Sequence, residues 1–350
     1  MNLPRVSRSV LALLLISAAA SVRADVVVLV PGSTVKGAVS GSVRGQVQSE
    51  SAAEVVVKLG NNLINVPADQ VVSVRYDGQP ANMVLAETRE AAGQLAEAAD
   101  LYKKAIDLAE EKPLIQQVAR FKQADLTADI ALADPSRTAE AIALLDAFVK
   151  AYPNGRQTAP ALEKLTRLLL QKGDYARVDR ALADLTRLPH GAERAGVSKA
   201  RVAARRGDHA AAVAELDRLI KSAPAGSGLL REARLARAES LAALKKFAEA
   251  EAEVLGVIQA LPAEDVAAQA AAHNTLGDCL RAAGRPKDAL FAYLYTDLIY
   301  SKDKEQHPRA LAQISRLWRE LKRDDRADEA WNRLKQEYPR SPWLTAKASP

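Results

Sequence analysis

Arg206, Gly207, Asp208 and His209 stand side by side within ARRGDHAAAVAELDRLI, Ala204 to Ile220. An aspartate beside a histidine is the pairing from which a general base is assembled, and Arg-Gly-Asp is an adhesion tripeptide. Both readings rest on few residues, so the surrounding pattern must decide between them and a plain corner joining two helices. Elsewhere the chain offers little chemistry. His190, His209, His273 and His307 are scattered without ligand spacing, and the lone Cys279 lacks the partners of a structural zinc site. Gly32, Gly37, Gly41 and Gly45 form a glycine-rich run, but no Gly-Lys-Ser/Thr closes it and no helix comes after it, as a phosphate loop requires. No nucleophile elbow or metalloprotease helix motif is found. Trp318, Trp331, Tyr338 and Trp343 interleave with Arg316, Arg319, Lys322 and Arg323, a pattern open to reading as a base-stacking platform. The simpler expectation is that Trp318 and Trp331 lock a final helix pair whose charges keep it soluble. These residues predict a non-enzymatic protein with no cofactor, no metal and no nucleic-acid partner.

The elements that position these residues begin after an export pattern. In MNLPRVSRSVLALLLISAAASVRADVV, Arg5 and Arg8 precede the apolar run Val10 to Ala20, and Val22-Arg23-Ala24 supplies a peptidase site. That run is too short to span a bilayer as a helix, which takes about 20 residues. Residues 1–24 are therefore expected to be a signal peptide cleaved between Ala24 and Asp25, placing the chain in a bacterial periplasm or envelope. Loss of Arg5, Arg8 and Arg23 lowers the formal net charge from +6 to +3. With 49 basic against 43 acidic side chains, the surface is mixed rather than a nucleic-acid footprint. One cysteine makes no intrachain disulfide, so stability must come from packing.

Residues 25–78 read as a small β domain. Valine-rich runs at Val26–Val30, Val43–Gln48, Glu54–Leu59, Leu63–Val66 and Val71–Tyr76 are divided by Pro-Gly, Ser-Gly, Gly-Asn-Asn and Pro-Ala-Asp turn signals. The glycines suit turns and bends of curved strands. A sheet closed on itself would remove its edges. INVPADQVVSVRYD resembles the end of SH3-like or Sm-like barrels, in which a helical turn links the last two strands. Gly78 and Pro80 mark a boundary, and the β domain is expected to fold separately from the helical array beyond it.

From residue 81 to 342 alanine, leucine and charged residues recur at helical spacing, punctuated by glycine and proline. In HNTLGDCLRAAGRPKDALFAYLYTDLIY, Leu276-Gly277 is followed by Leu280, Gly284, Ala289 and Tyr293. Ala98, Ala141, Val178, Ala212, Ala250, Ala289 and Ala330 stand 34 to 43 residues apart, each with a larger residue four positions later. This pattern is similar to the tetratricopeptide repeat, whose period is about 34 residues. The resemblance implies an α-solenoid of about seven helical hairpins, mainly α, in which these small residues and Gly277 and Tyr293 pack the units together. Gly207 then falls between two helices as Gly93, Gly173 and Gly284 do, and Asp208 follows it as Asp174 follows Gly173. RRGDHAAAV and QKGDYARV are one mechanical corner written twice, with glycine ending a helix and aspartate capping the next. His209 stands where Tyr175 stands, as an interhelical packing residue.

Such arrays curve around a concave surface lined by first helices. The resemblance implies that positions six and two before each corner face it: Arg167 and Gln171, Arg201 and Arg205, Glu239 before Lys245, Asp278 before Gly284, and Arg319 and Arg323 before Asp325. The leading expectation is an interaction protein holding a protein or peptide partner in this groove. The alternative is a scaffold or assembly factor of an envelope or secretion complex, attached through the β domain. A carbohydrate binder fits less well, since few aromatics are expected in the groove. Residues 343–350 read as a tail. N-terminal sequencing of the secreted protein should begin at or beside Asp25; recovery of residues 1–24 on a membrane-embedded product overturns the export reading.

Overall fold

A computed structural model describes residues 24–344 of the chain. The signal-peptide pattern and the last six residues lie outside that range. Five strands come first: β1 Asp25–Leu29, β2 Ser42–Glu50, β3 Glu54–Leu59, β4 Asn62–Pro67 and β5 Val71–Arg75. Alternate side chains point inward, as the period of two requires, so Val27, Leu29, Val43, Val47, Val55, Val57 and Val66 are buried. The strands form one antiparallel sheet in the order β4-β3-β2-β1-β5, and a short 3₁₀ turn, Ala68–Gln70, joins β4 to β5 as expected. β2 is shared along its length, with Ser42 to Gly45 paired to β1 and Gln46 to Glu50 paired to β3. Gly45 sits at that bend. A Cβ there would lie 2.4 Å from the Lys58 carbonyl oxygen, so only glycine lets the two backbones approach this closely.

The expected barrel does not close. β4 and β5 are the two ends of an open sheet and do not pair. The physical reason lies in what covers the apolar face: helices bury it, so the sheet has no need to wrap around itself.

Fourteen helices come next as seven hairpins: α1 Ala81–Ala91 with α2 Leu95–Leu108, α3 Pro113–Ala133 with α4 Thr138–Ala151, and α5 Thr158–Lys172 with α6 Tyr175–Arg187. Then come α7 Gly191–Arg205 with α8 His209–Ser222, α9 Gly228–Ala243 with α10 Phe247–Ala260, α11 Val266–Ala282 with α12 Pro286–Leu298, and α13 Gln306–Glu320 with α14 Asp324–Glu337. Pro113 and Pro286 open their helices, where the missing N–H costs nothing. The seven aligned positions, Ala98 to Ala330, are all buried, and so is each larger residue four later, from Tyr102 to Leu334.

The strand-to-helix boundary falls between Arg75 and Ala81, but packing runs across it. Strand residues such as Val27 and Val57 share one apolar cluster with Met83, Tyr102, Ile106, Ile115 and Leu126 of α1 to α3. A polar lock reinforces the union. Glu50, whose side chain is 1 % exposed, accepts from the Tyr76 hydroxyl, from Arg156 Nε at 3.1 Å and from Gln157 Nε2 at 3.2 Å. The Ala52 amide donates to the Asn154 carbonyl at 2.7 Å. Burial and the neighbouring Glu50 carboxylate push the Tyr76 hydroxyl far above its ordinary pKa. The β domain, expected to fold alone, shares its apolar core with the first hairpins.

At the other end, His307 is buried between Asp297 (2.8 Å from Nε2) and the Tyr338 hydroxyl (2.7 Å from Nδ1), and Arg333 grips Asp297 with two bonds of 2.9 Å. This joins α12, α13 and α14 in one network. Burial raises the Asp297 carboxyl, but its bonds to His307 and Arg333 win and hold it below the ordinary carboxylate value. Removing one partner of a buried, hydrogen-bonded ion pair costs about 3–5 kcal/mol. Glu50→Ala should therefore lower the unfolding free energy by about that much in urea titrations followed by circular dichroism, and a variant as stable as the parent shows that the sheet is not fastened at this point.

Candidate functional site

The helix corners set the geometry of the inner surface. Gly93, Gly173, Gly207 and Gly284 all take positive φ, from +73° to +87°, the left-handed conformation that ends a helix without a Cβ clash. Asp174 and Asp208 then accept hydrogen bonds from the amides of Arg177 (3.3 Å) and Ala211 (2.9 Å), capping α6 and α8. The Arg-Gly-Asp stretch is thus a corner. Repeated corners bring first helices side by side: α3, α5, α7, α9, α11 and α13 each pack on the next.

Their inner faces enclose a groove of about 930 Å³. Arg167 on α5, Arg201 and Arg205 on α7, Arg231 on α9 and Arg309 on α13 line it together with the carboxylates of Glu232 and Glu239 on α9 and of Asp303 and Glu305 from the approach to α13. Leu132, Leu170 and Leu235 also line it. Arg167 bridges the groove to Glu305, 138 residues away in sequence, and Arg201 bonds Glu232 at 2.7 Å. Arg309 on α13 binds Asp278 of α11 and lies 3.8 Å from Glu239. Arg205 makes no close ion pair among the described residues, although its charge, with those of Arg309 and Arg201, opposes the rise that burial causes at Glu239. Burial, then the charge of Arg201, lowers the Arg167 pKa; burial raises those of Glu239 and Asp303. Arg309 shifts upward because Asp278 and Glu239 outweigh its own burial. The 3₁₀ turn Pro342–Leu344 adds Pro342 and Trp343 to the lining, and Arg340 reaches Asp134 at 3.2 Å across 206 residues. Among the described residues, no group of three or more His, Cys, Asp or Glu is placed to hold a metal ion.

Five of the eight anticipated groove residues line this cavity: Arg167, Gln171, Arg201, Arg205 and Glu239. Asp278 stands behind Arg309 and does not line it. Arg319 and Arg323 also fall outside, bonded to Asp328 and Asp325 of α14. Their expected placement counts back from Asp325, but the last corner is Lys322, which takes φ +59°. Counting from Lys322 gives Arg316 and Glu320, which do not line the cavity either; α13 meets the groove near its start, at Gln306 and Arg309. His209, expected only in interhelical packing, lines the cavity with a buried Nδ1 that lacks a hydrogen-bond partner among the described residues. Asp303, Glu305 and Arg309 are groove residues that repeat counting does not reach. A local signal exists: Asp303 accepts from the amides of Glu305 (3.0 Å) and Gln306 (2.6 Å), so Asp-Lys-Glu-Gln is a helix-start signature. Trp331 and Trp318 sit in the final hairpin, and Cys279 is buried in α11 with its thiol pushed up to about 12 by burial.

A family model described as the tetratricopeptide repeat matches residues 309–341, the span of α13 and α14. The array has the tetratricopeptide repeat fold. A tetratricopeptide repeat protein from Parabacteroides merdae is similar over 76 % of this chain and 95 % of its own, with a TM-score of 0.52 and 12 % identity. The apo form of the quorum sensor NprR from B. thuringiensis matches over 73 % and 74 %, with TM-score 0.55 and 11 % identity. A Rap protein complexed with Competence and Sporulation Factor matches over 75 % and 78 %, with TM-score 0.53 and 12 % identity. At these identities the likeness is one of fold. No curated protein sequence matches the chain. No helix of the described residues is long and apolar enough to cross a membrane.

Repeat packing and groove meet at one tetratricopeptide position. A Cβ on Gly277 would lie 2.6 to 2.8 Å from three ring carbons of Tyr293, whose hydroxyl donates to Asp278 at 2.5 Å. Asp278 in turn holds Arg309 at the groove. Gly277→Ala overpacks this contact and should cost about 1–3 kcal/mol in thermal or urea unfolding. Unchanged stability overturns the close-packed account.

Proposed function

We propose that the chain is an exported, non-enzymatic interaction protein that holds a segment of a partner protein in its central groove. The observation that carries this reading is the charged groove, lined by five arginines and four carboxylates with leucines among them, in which Arg205 is exposed and makes no close ion pair among the described residues. An extended segment bearing a carboxylate would satisfy Arg205 through a charge-assisted hydrogen bond, while its backbone and apolar side chains cover Leu170 and Leu235. The fold supports the reading, since repeat arrays of this kind generally serve protein interaction and one similar solved protein is in complex with a factor. Export rests on the pattern of residues 1–24, and the periplasm or envelope is the corresponding location.

A second reading, a scaffold attached through the β domain, draws on the open sheet ends. Leu63 on β4 and Val72 on β5 are exposed on strands free to pair with another chain.

Arg167→Gln, Arg201→Gln and Arg205→Gln in one chain test the groove. All three side chains are partly exposed and exposed ion pairs are worth about 0–1 kcal/mol, so the melting temperature should move little. Partner capture from an envelope extract should weaken at least tenfold, and what remains should depend less on salt. Undiminished capture by the folded triple variant removes the groove from the account and leaves the sheet ends as the attachment.

A further inference from the structure

Two of the groove's lining residues come from outside the helices of the array. Past α14 the chain runs through Tyr338, Pro339, Arg340 and Ser341 into the 3₁₀ turn Pro342–Leu344, which packs on α13 and brings Pro342 and Trp343 to the cavity. Among the described residues Leu132 is the first in the chain to line the cavity and Trp343 the last. The base of this strap is fixed. The Tyr338 hydroxyl lies 2.7 Å from Nδ1 of the buried His307, the Ser341 amide donates to the Tyr338 carbonyl at 3.0 Å, and Ser341 is itself buried. The turn is shaped from within, the Trp343 amide donating to Ser341 Oγ at 3.3 Å and the Leu344 amide to the Ser341 carbonyl at 3.1 Å.

The strap's reach to the second hairpin is held differently. Arg340 meets Asp134, in the connection between α3 and α4, at 3.2 Å, and the arginine side chain is 74 % exposed. Pairs so open to water contribute little. A permanent cap would be locked at its far contact as firmly as at its base. A rigid base with a weakly held far contact is instead the build of an element that hinges at a helix end. Trp343 is half-buried, and it shares the cavity with Leu132, Leu170 and Leu235. An indole there supplies the large apolar side chain that an incoming segment would otherwise bring.

We infer that the strap is an autoinhibitory contact: in the resting chain Trp343 covers apolar lining that a bound segment needs, and binding draws Arg340 away from Asp134. This regulates the groove proposed above and rests on that reading. Affinity is reduced by the fraction of chains whose strap is closed, so loosening the strap tightens binding without adding any contact.

Fluorine NMR of the full chain carrying 5-fluorotryptophan reads the strap directly. Trp318, Trp331 and Trp343 give three resonances, and Trp343→Phe identifies the last. Arg340→Ala and Asp134→Asn should each move the Trp343 resonance towards its position in the urea-unfolded chain and leave the other two in place. Partner capture from an envelope extract should tighten by up to about fivefold in Arg340→Ala, the worth of one exposed pair, and further in Trp343→Ala. Both gains should vanish when Arg167, Arg201 and Arg205 are also changed to glutamine. A Trp343 resonance that neither variant moves overturns the inference. Capture that needs the three arginines but ignores the strap variants overturns this inference alone, whereas capture that ignores the three arginines overturns the groove reading and this inference with it.

Discussion

Close approach of helices at one small residue per hairpin is the constraint on which the rest of the structure depends. At Ala98, Ala141, Val178, Ala212, Ala250, Ala289 and Ala330 the side chain is short enough for the next helix to settle against the backbone, and a larger residue four later fills the space beyond. No hairpin can bury that face alone, so each needs its neighbour, and the units stack. The terminal units solve the problem differently. The sheet covers the first hairpins, sharing their apolar cluster, while the last units are tied by His307, Asp297, Arg333 and Tyr338.

Charged residues act on top of this packing rather than in place of it. Many ion pairs join one unit to the next: Arg194 to Glu163, Arg177 to Asp146, Arg201 to Glu232, Arg231 to Asp265, Arg285 to Glu251 and Arg309 to Asp278. Most are half-exposed, and pairs of that kind contribute about 0–1 kcal/mol each. They sharpen the stacking register, but burial of the apolar rows sets it. The consequence for the groove is that most of its arginines are already engaged with neighbouring units. Arg205 is set apart by making no close ion pair among the described residues.

The features legible in the sequence are those fixed locally. Glycine at a corner, aspartate after it and the alanine rows arise from sterics within a hairpin, so the array and most of the groove's basic wall can be read directly. The limit shows at α13, which meets the groove at Gln306 and Arg309 near its start and not at Arg319 and Arg323 near its end. Asp303, Glu305 and Arg309 enter the groove through superhelix curvature, a sum of small rotations that no single hairpin encodes. The sheet's failure to close has the same origin. Valine spacing specifies strands, but whether a sheet wraps on itself depends on what else can cover it, and here α1 to α3 do so.

Curvature brings distant hairpins together. Arg167 to Glu305 and Arg340 to Asp134 connect residues 138 and 206 positions apart, so the last hairpin and its approach reach back to the third and second. Side-chain exposures are 46 % and 37 % for the first pair, which still lies deep enough for burial to lower the Arg167 pKa, and 74 % and 16 % for the second. Water competes for the exposed Arg340 pair, and breaking it costs about 1 kcal/mol or less. Buried locks at Glu50 and His307 fasten the sheet to the early hairpins and α13 to α12, so these ends of the array are held by stronger pairs than the contact between Arg340 and Asp134.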